Sequence, residues 1–123
     1  MTQRILVIDD DADVRETIKI ALESEGYEVV EAGDGRQGLA AFRNRVPDLV
    51  ITDIVMPVTE GLQTIREIRR LRPAAPILAV SAGGRAGQHD FLDIARRLGA
   101  WEVIAKPFDP DELIACVKSC LAR

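Results

Sequence analysis

Leu49-Val50-Ile51-Thr52-Asp53-Ile54-Val55-Met56-Pro57 is a short apolar run that carries one carboxylate toward its own end and is then stopped by proline. A run of that length bounded by proline reads as a buried strand, which places Asp53 where the strand meets its loop. Three other apolar runs end the same way. Ile5 to Ile8 leads into Asp9-Asp10-Asp11, Ile77 to Val80 leads into Ser81, and Val103 to Ala105 leads into Lys106-Pro107. In an open parallel sheet the carboxyl ends of the strands share one edge, and ligands bind along it. That edge would collect several acids, a hydroxyl and an ammonium.

The segments between these runs have helical spacing. Val14, Ile18, Ala21 and Leu22 recur on one face of a helix running from Ala12 to about Glu25, which Gly26 stops. Glu28 to Ala32 reads as a second strand, and the acids flanking Val29-Val30 place it at the edge of the sheet. Asp34 can cap the next helix, whose buried stripe would be Leu39, Phe42 and Val46 before Pro47 forces the exit. A helix from about Glu60 to Leu71 would bury Leu62, Ile65 and Ile68 and close at Pro73 and Pro76. Ser81 to Gly87 is the most permissive stretch, and Phe91, Ile94, Ala95 and Leu98 then form a stripe that Gly99 ends. Asp109-Pro110-Asp111-Glu112 announces a last helix, with Leu113, Val117, Cys120 and Leu121 facing inward. Strands and helices alternate without repeat or linker, the pattern of a parallel sheet covered on both faces. The reading is a three-layer α/β sandwich in a single domain over 1–123.

The totals exclude several function classes. The chain has 123 residues, 47% of them hydrophobic and 29% charged, which suits a packed globular fold. No apolar stretch approaches the length of a membrane span or a signal sequence, so a cytoplasmic location is expected. A formal net charge of −4 argues against sequence-independent binding to nucleic acid or anionic lipid. Arg66, Arg69, Arg70 and Arg72 lie along one helix and read as a solvated face. Cys116 and Cys120 lack metal-ligand spacing with other residues and read as small, half-buried thiols. His89 has no acid or cysteine partner in its motif and reads as a surface or helix-start residue.

Asp9, Asp10 and Asp53 on one edge would repel one another by about 4 kcal/mol per pair at 4 Å and an effective dielectric of 20. Such a cluster needs a cation or must give up a charge. Hard carboxylate oxygens with room for water and phosphate suit Mg²⁺. With the acids neutralised, Asp53 can attack phosphorus to give an aspartyl phosphate, while Lys106 and Ser81 each serve a phosphoryl oxygen. A lone Asp or Ser after a strand is ordinarily a cap or turn residue. Acids after two strands, a hydroxyl after a third and Lys-Pro after a fourth would require four unrelated structural roles. Asp11 and Asp13, by contrast, are accounted for by the first turn of a helix.

Asp9-Asp10, Asp53 followed by Met56-Pro57 and Gly61, Ser81-Ala82 and Lys106-Pro107-Phe108 together resemble the receiver domain of two-component response regulators, over nearly the whole chain. The resemblance implies a flavodoxin-like (βα)5 fold with strand order 2-1-3-4-5. It implies that Asp53 is a phosphoacceptor for a phosphohistidine on a histidine kinase or phosphotransfer protein. Asp10, Asp53 and the main-chain carbonyl of Val55 would ligate Mg²⁺, with Asp9 assisting through water. Ser81 would be the switch hydroxyl, Lys106 the phosphate contact, and Lys106-Pro107 a cis peptide. The domain would accept phosphate without being a turnover enzyme. It would switch a face made by the fourth helix, fifth strand and fifth helix toward a downstream target protein, with homodimerisation through the last helix left open.

Two departures from the family pattern stand out. Val103 occupies the position, three before the lysine, that is usually aromatic, so no ring can swing behind the hydroxyl; Trp101 is expected near the same surface. The Gly83–His89 segment is longer than usual, similar to receivers without an attached output domain. Other function classes fit less well. Aspartyl-phosphate phosphatases resemble an Asp-x-Asp arrangement that Ile54-Val55 does not supply, and a nucleotide-binding turn would need glycines where Asp9-Asp10-Asp11 stand. A scaffold without phosphoryl chemistry would not need the acids and lysine together.

Overall fold

A computed structural model describes residues 2–54, 60–82, 93 and 95–123. The strands are β1 (Arg4–Ile8), β2 (Glu28–Ala32), β3 (Leu49–Asp53), β4 (Ile77–Ala82) and β5 (Glu102–Lys106). The helices are α1 (Ala12–Glu23), α2 (Gly35–Asn44), α3 (Glu60–Leu71), a fourth, α4, described at 93 and 95–97, and α5 (Pro110–Leu121). All strand pairs are parallel, in the order β2-β1-β3-β4-β5. The edge position expected for β2 is therefore observed.

Alternation along the strands splits the core in two. Ile5, Val7, Leu49, Ile51, Leu78, Val80 and Ile104 pack against Ile18 and Leu22 of α1 and Leu113, Val117 and Cys120 of α5. Leu6, Ile8, Val50, Ile77 and Ala79 face Phe42 of α2, Ile65 and Ile68 of α3, and Ala95. Because β1, β3 and β4 carry apolar residues of both parities, they are buried on both faces, as central strands of a parallel sheet must be.

Local chemistry sets the helix ends. Asp11, Asp34 and Asp109 are extended N-cap residues whose carboxylates accept from main-chain amides of the first turn, and Pro110 follows the last of them. Gly26 closes the α1 connection at φ +90°, a conformation that favours glycine.

Some expectations need correction. α1 ends at Glu23, with Ser24 as its C-cap, two residues before the expected Glu25. Val46 does not complete the buried stripe of α2: the helix ends at Asn44, Arg45 is extended, and Val46 is 43% exposed while Pro47 is buried in its stead. Trp101 does not share a surface with Val103. Val103 packs toward the α2/α3 layer and Trp101 toward the α1/α5 layer, where the Arg123 guanidinium stacks 5.5 Å from its ring centroid. The reason is that Trp101 precedes β5, so the strand alternation does not fix its side.

The arginines of α3 are not uniformly solvated. Arg69 is half-buried and donates to the carbonyls of Gly99 and Arg72, and burial lowers its pKa. Cys116 and Cys120 are free thiols, and burial pushes Cys120 up to about 11. Val55 to Pro57, the Gly83–His89 segment, Phe91 and Ile94 lie outside the described residues.

Candidate functional site at the carboxyl edge of the sheet

Strand parity explains why the acids meet. Asp9 continues the Ile5, Val7 series of β1, Asp53 continues Leu49, Ile51 of β3, and Lys106 continues Ile104 of β5, all on the α1/α5 side. The three side chains converge where the strands end. Lys106 Nζ lies 2.9 Å from Asp9 Oδ2 and 3.0 Å from Asp53 Oδ2. Asp9 and Asp53 are 2% and 5% exposed, so the charges they carry are largely withdrawn from water.

Asp10, one residue on, is exposed, and it completes a set of three carboxylates whose oxygens lie within 4.8 Å of one another. Hard oxygen donors at that spacing, open to solvent on one side, match what a small divalent cation takes. The donor set therefore fits Mg²⁺ at Asp9, Asp10 and Asp53.

The main chain anchors the cluster. The Asp9 amide donates to the Ala32 carbonyl at 3.1 Å and the Ile54 amide to the Val80 carbonyl at 2.9 Å, extending the ladder past both acids. The second Asp9 carboxylate oxygen accepts from the Asp11 amide at 2.9 Å. Burial alone would lower the pKa of Lys106, but hydrogen bonds and the charges of Asp9 and Asp53 outweigh it and the net shift is upward. The ammonium is fixed as a cation.

Ser81 is fully buried at the end of β4, the strand between the one that carries Asp53 and the one that carries Lys106. Its register partner is Ala105, one row before Lys106, which pairs with Ala82. β4 runs two residues further than the sequence suggests, to Ala82, so Ser81 belongs to the strand rather than to the loop. The Lys106-Pro107 bond is cis, as expected. The carbonyl of Val55, expected as a metal ligand, falls outside the described residues.

Two residues have roles that the sequence reading does not supply: Gly61, which enters there only as part of the family resemblance, and Arg15, which does not enter at all. Gly61 lies where the start of α3 crosses the end of β3: a Cβ there would come closer than 3.0 Å to the Asp53 carbonyl oxygen and to the Ile54 Cα and carbonyl carbon. Only glycine lets the helix approach the strand that carries Asp53. The chemical signal, a glycine at the second position of a helix, was present but is ambiguous without the crossing. The other residue is Arg15, whose guanidinium donates to the Asp9 carbonyl at 2.6 Å.

Comparison with known proteins identifies the family. Residues 5–118 match the response regulator receiver domain family. The chain is 40% identical over 125 residues to the DNA-binding response regulator MtrA of Mycobacterium tuberculosis, covering 100% of this chain and 52% of that protein. It is 39% identical over 121 residues to the phosphate regulon transcriptional regulatory protein PhoB of Pseudomonas aeruginosa, covering 97% and 52%. The chain thus spans about half the length of the curated relatives it matches.

Among solved structures, the receiver domain of NtrX from Brucella abortus superimposes with a TM-score of 0.87 at 35% identity, covering 96% of this chain and 98% of that one. The chemotaxis protein CheY4 of Vibrio cholerae superimposes with a TM-score of 0.88 at 28% identity, covering 98% and 100%. A family match along nearly the full chain and the shared flavodoxin-like topology lead to one conclusion: the chain belongs to the receiver domains of two-component response regulators.

Proposed function

We propose that Asp53 is the phosphoacceptor of this receiver domain, taking a phosphoryl group from a phosphohistidine on a histidine kinase or phosphotransfer protein. An Asp53 carboxylate oxygen forms the bond to phosphorus as the bond from phosphorus to the imidazole nitrogen breaks, and the electron pair leaves with that nitrogen. The single observation that carries the assignment is the Lys106 ammonium held at 3.0 Å from Asp53 and 2.9 Å from Asp9. A cation fixed there by partners on two strands is already in place to receive negative charge on a phosphoryl oxygen, so little reorganisation is needed during transfer.

Asp9, Asp10 and Asp53 would hold Mg²⁺, joined by the Val55 carbonyl and with Asp9 acting through water. When bound, the ion neutralises the acids and draws charge from the phosphoryl oxygens. Ser81 serves as the switch hydroxyl, a role supported by its burial at the end of the strand beside β3. Val103 cannot supply an aromatic ring for that switch. The output then rests on repacking of α4, β5 and α5, and β5 is an edge strand whose Ala105 is exposed.

The domain works by changing which protein partner it binds and not by turning over substrate. Its own residues carry a net charge of −4, which favours a protein target over direct nucleic-acid contact, and homodimerisation on phosphorylation is a second outcome of the same switch. Among the described residues, no helix is long and apolar enough to cross a membrane.

Incubating the wild type and Asp53→Asn with acetyl phosphate and Mg²⁺, and measuring incorporated phosphate by intact mass, tests the assignment. Addition of one phosphoryl group to the wild type alone is expected. Equal incorporation in both proteins would refute it.

A further inference from the structure

We infer that Arg15 is a positioning residue for the acid pocket, setting its metal affinity by clamping the peptide that joins Asp9 to Asp10. This rests on the reading of Asp9, Asp10 and Asp53 as the Mg²⁺ ligands. The β1 ladder pairs residues only as far as Ile8, with Ala32 on one side and Thr52 on the other. Asp9 still uses its amide on the Ala32 carbonyl, but its carbonyl has passed the last paired row. Arg15, from the first full turn of α1, reaches back and donates Nη1 to that carbonyl at 2.6 Å.

The guanidinium is itself held. Its Nε lies 3.3 Å from Glu31 on the edge strand β2, and Nη1 would stand 3.5 Å from a Cβ placed at Gly33, so the group fits beneath the β2-α2 turn. Lys19 adds a second cation 3.6 Å from Glu31. The Arg15 and Glu31 side chains are 19% and 33% exposed, so this pair lies at the surface and is the weaker of the two contacts, the donation to the Asp9 carbonyl being partly buried.

The geometry matters because Asp9 and Asp10 have different anchors. The Asp9 carboxylate is fixed by the Asp11 amide and by Lys106. Asp10 is exposed, and the peptide before it sets where its α-carbon stands and so bears on where its carboxylate can reach. The Asp9 carbonyl and the Asp10 amide are two ends of that peptide plane. A guanidinium locked on one end, with a planar fork that also engages Glu31, restricts rotation of the whole unit.

Two roles for Arg15 predict opposite signs. As a mere nearby positive charge it would repel a dication, and its removal would tighten Mg²⁺ binding. As a clamp, its removal loosens Asp10 and weakens binding, by about tenfold for a residue acting behind the ligands.

Isothermal titration of Mg²⁺ into the full chain, comparing wild type, Arg15→Met, Arg15→Lys and Glu31→Gln, separates them. The expected result is a Kd raised about tenfold in Arg15→Met, partly recovered in Arg15→Lys and raised to a lesser extent in Glu31→Gln. Unchanged or tighter binding in Arg15→Met would overturn the inference, and urea unfolding in parallel shows that the variants are folded. If Arg15→Met does not fold, unchanged affinity in both other variants is the overturning result.

A wild type that takes up no Mg²⁺ would overturn the metal reading and, with it, the effect on affinity. Amide exchange of Asp10 in metal-free protein reports the clamp separately. Faster exchange in Arg15→Met supports it, and an unchanged rate removes it.

Discussion

Replacing Gly61 with alanine adds one methyl group at the place where α3 crosses the strand that carries Asp53. The added carbon would meet the Asp53 carbonyl oxygen and the Ile54 Cα, and would stand 2.8 Å from the Ile54 carbonyl carbon. All three are main-chain atoms, so relief requires shifting the helix or the strand end rather than turning a side chain. Overpacking of this kind costs about 1–3 kcal/mol. The intrinsic helix preference of alanine over glycine returns at most about 1 kcal/mol, and less at the second residue of α3, where that preference acts only weakly.

The balance is a net loss of about 1–2 kcal/mol, read by urea unfolding as a midpoint lowered by roughly 0.5–1 M for a slope near 2 kcal/mol per M. Gly33→Ala is the internal control. A Cβ at Gly33 would meet only side-chain atoms, the nearest of them 3.4 Å away, so that variant should equal or exceed the wild type through the lost entropy of its unfolded chain. Gly61→Ala should also label more slowly with acetyl phosphate, because the displaced atom belongs to Asp53 itself. A Gly61→Ala protein as stable as the wild type would refute the argument that this crossing admits only glycine.

Lys106→Met leaves Asp9 and Asp53 without their shared cation, and carboxylates within 4.8 Å repel by about 3 kcal/mol at an effective dielectric of 20. A loss of about 1–3 kcal/mol at neutral pH is expected in metal-free urea titrations, shrinking when Mg²⁺ is added. The pH dependence has a definite sign: the folded pKa of Lys106 is raised above 10.5, so its contribution is complete below 10.5 and fades as pH climbs through the raised value. The gap between wild type and Lys106→Met should be flat from about pH 7 to 10 and narrow only beyond. Asp10→Asn should keep or slightly raise metal-free stability, since it deletes one of three clustered charges, yet lose most of the Mg²⁺-induced rise in Tm seen by thermal unfolding. Arg123→Ala should shift the emission of Trp101 while costing no more than about 1 kcal/mol, because its pairing with Glu102 and its stacking on the indole are half-exposed.

Much of this molecule is legible in its sequence because parallel strands buried on both faces must be continuous apolar runs, and the polar residues ending them are then forced onto one edge. Asp9, Asp53 and Lys106 could be placed together on that logic before any geometry was known. The helix crossing at Gly61, a residue the family resemblance includes, and the contact made by Arg15 could not. A glycine in a helix and an arginine in a helix both have ordinary explanations, and their special partners are main-chain atoms, which leave no mark in residue types.

Val46 fits the helical period of α2, but that period ends at Asn44, and the chain is extended from Arg45. Trp101 is close to Val103 in sequence but lies one residue outside β5, where the strand's alternation no longer fixes its side. Arg69 shows the same blindness in another form: its solvated neighbours suggested a charged face, whereas Gly99 offers it a carbonyl from a distant turn.

The carboxylate of Asp11 accepts from the amides of Asp13 and Val14, while its own amide donates to Asp9. One residue therefore ties the opening of α1 to the acid pocket by hydrogen bonds on either side of its α-carbon. A movement of the Asp9 carboxylate would be expected to reach the first turn of α1. If Asp53 is phosphorylated as proposed, the amides of Asp13 and Val14 are expected to report it by NMR without any attached label. Exchange rates there that ignore phosphorylation would show that the link is slack.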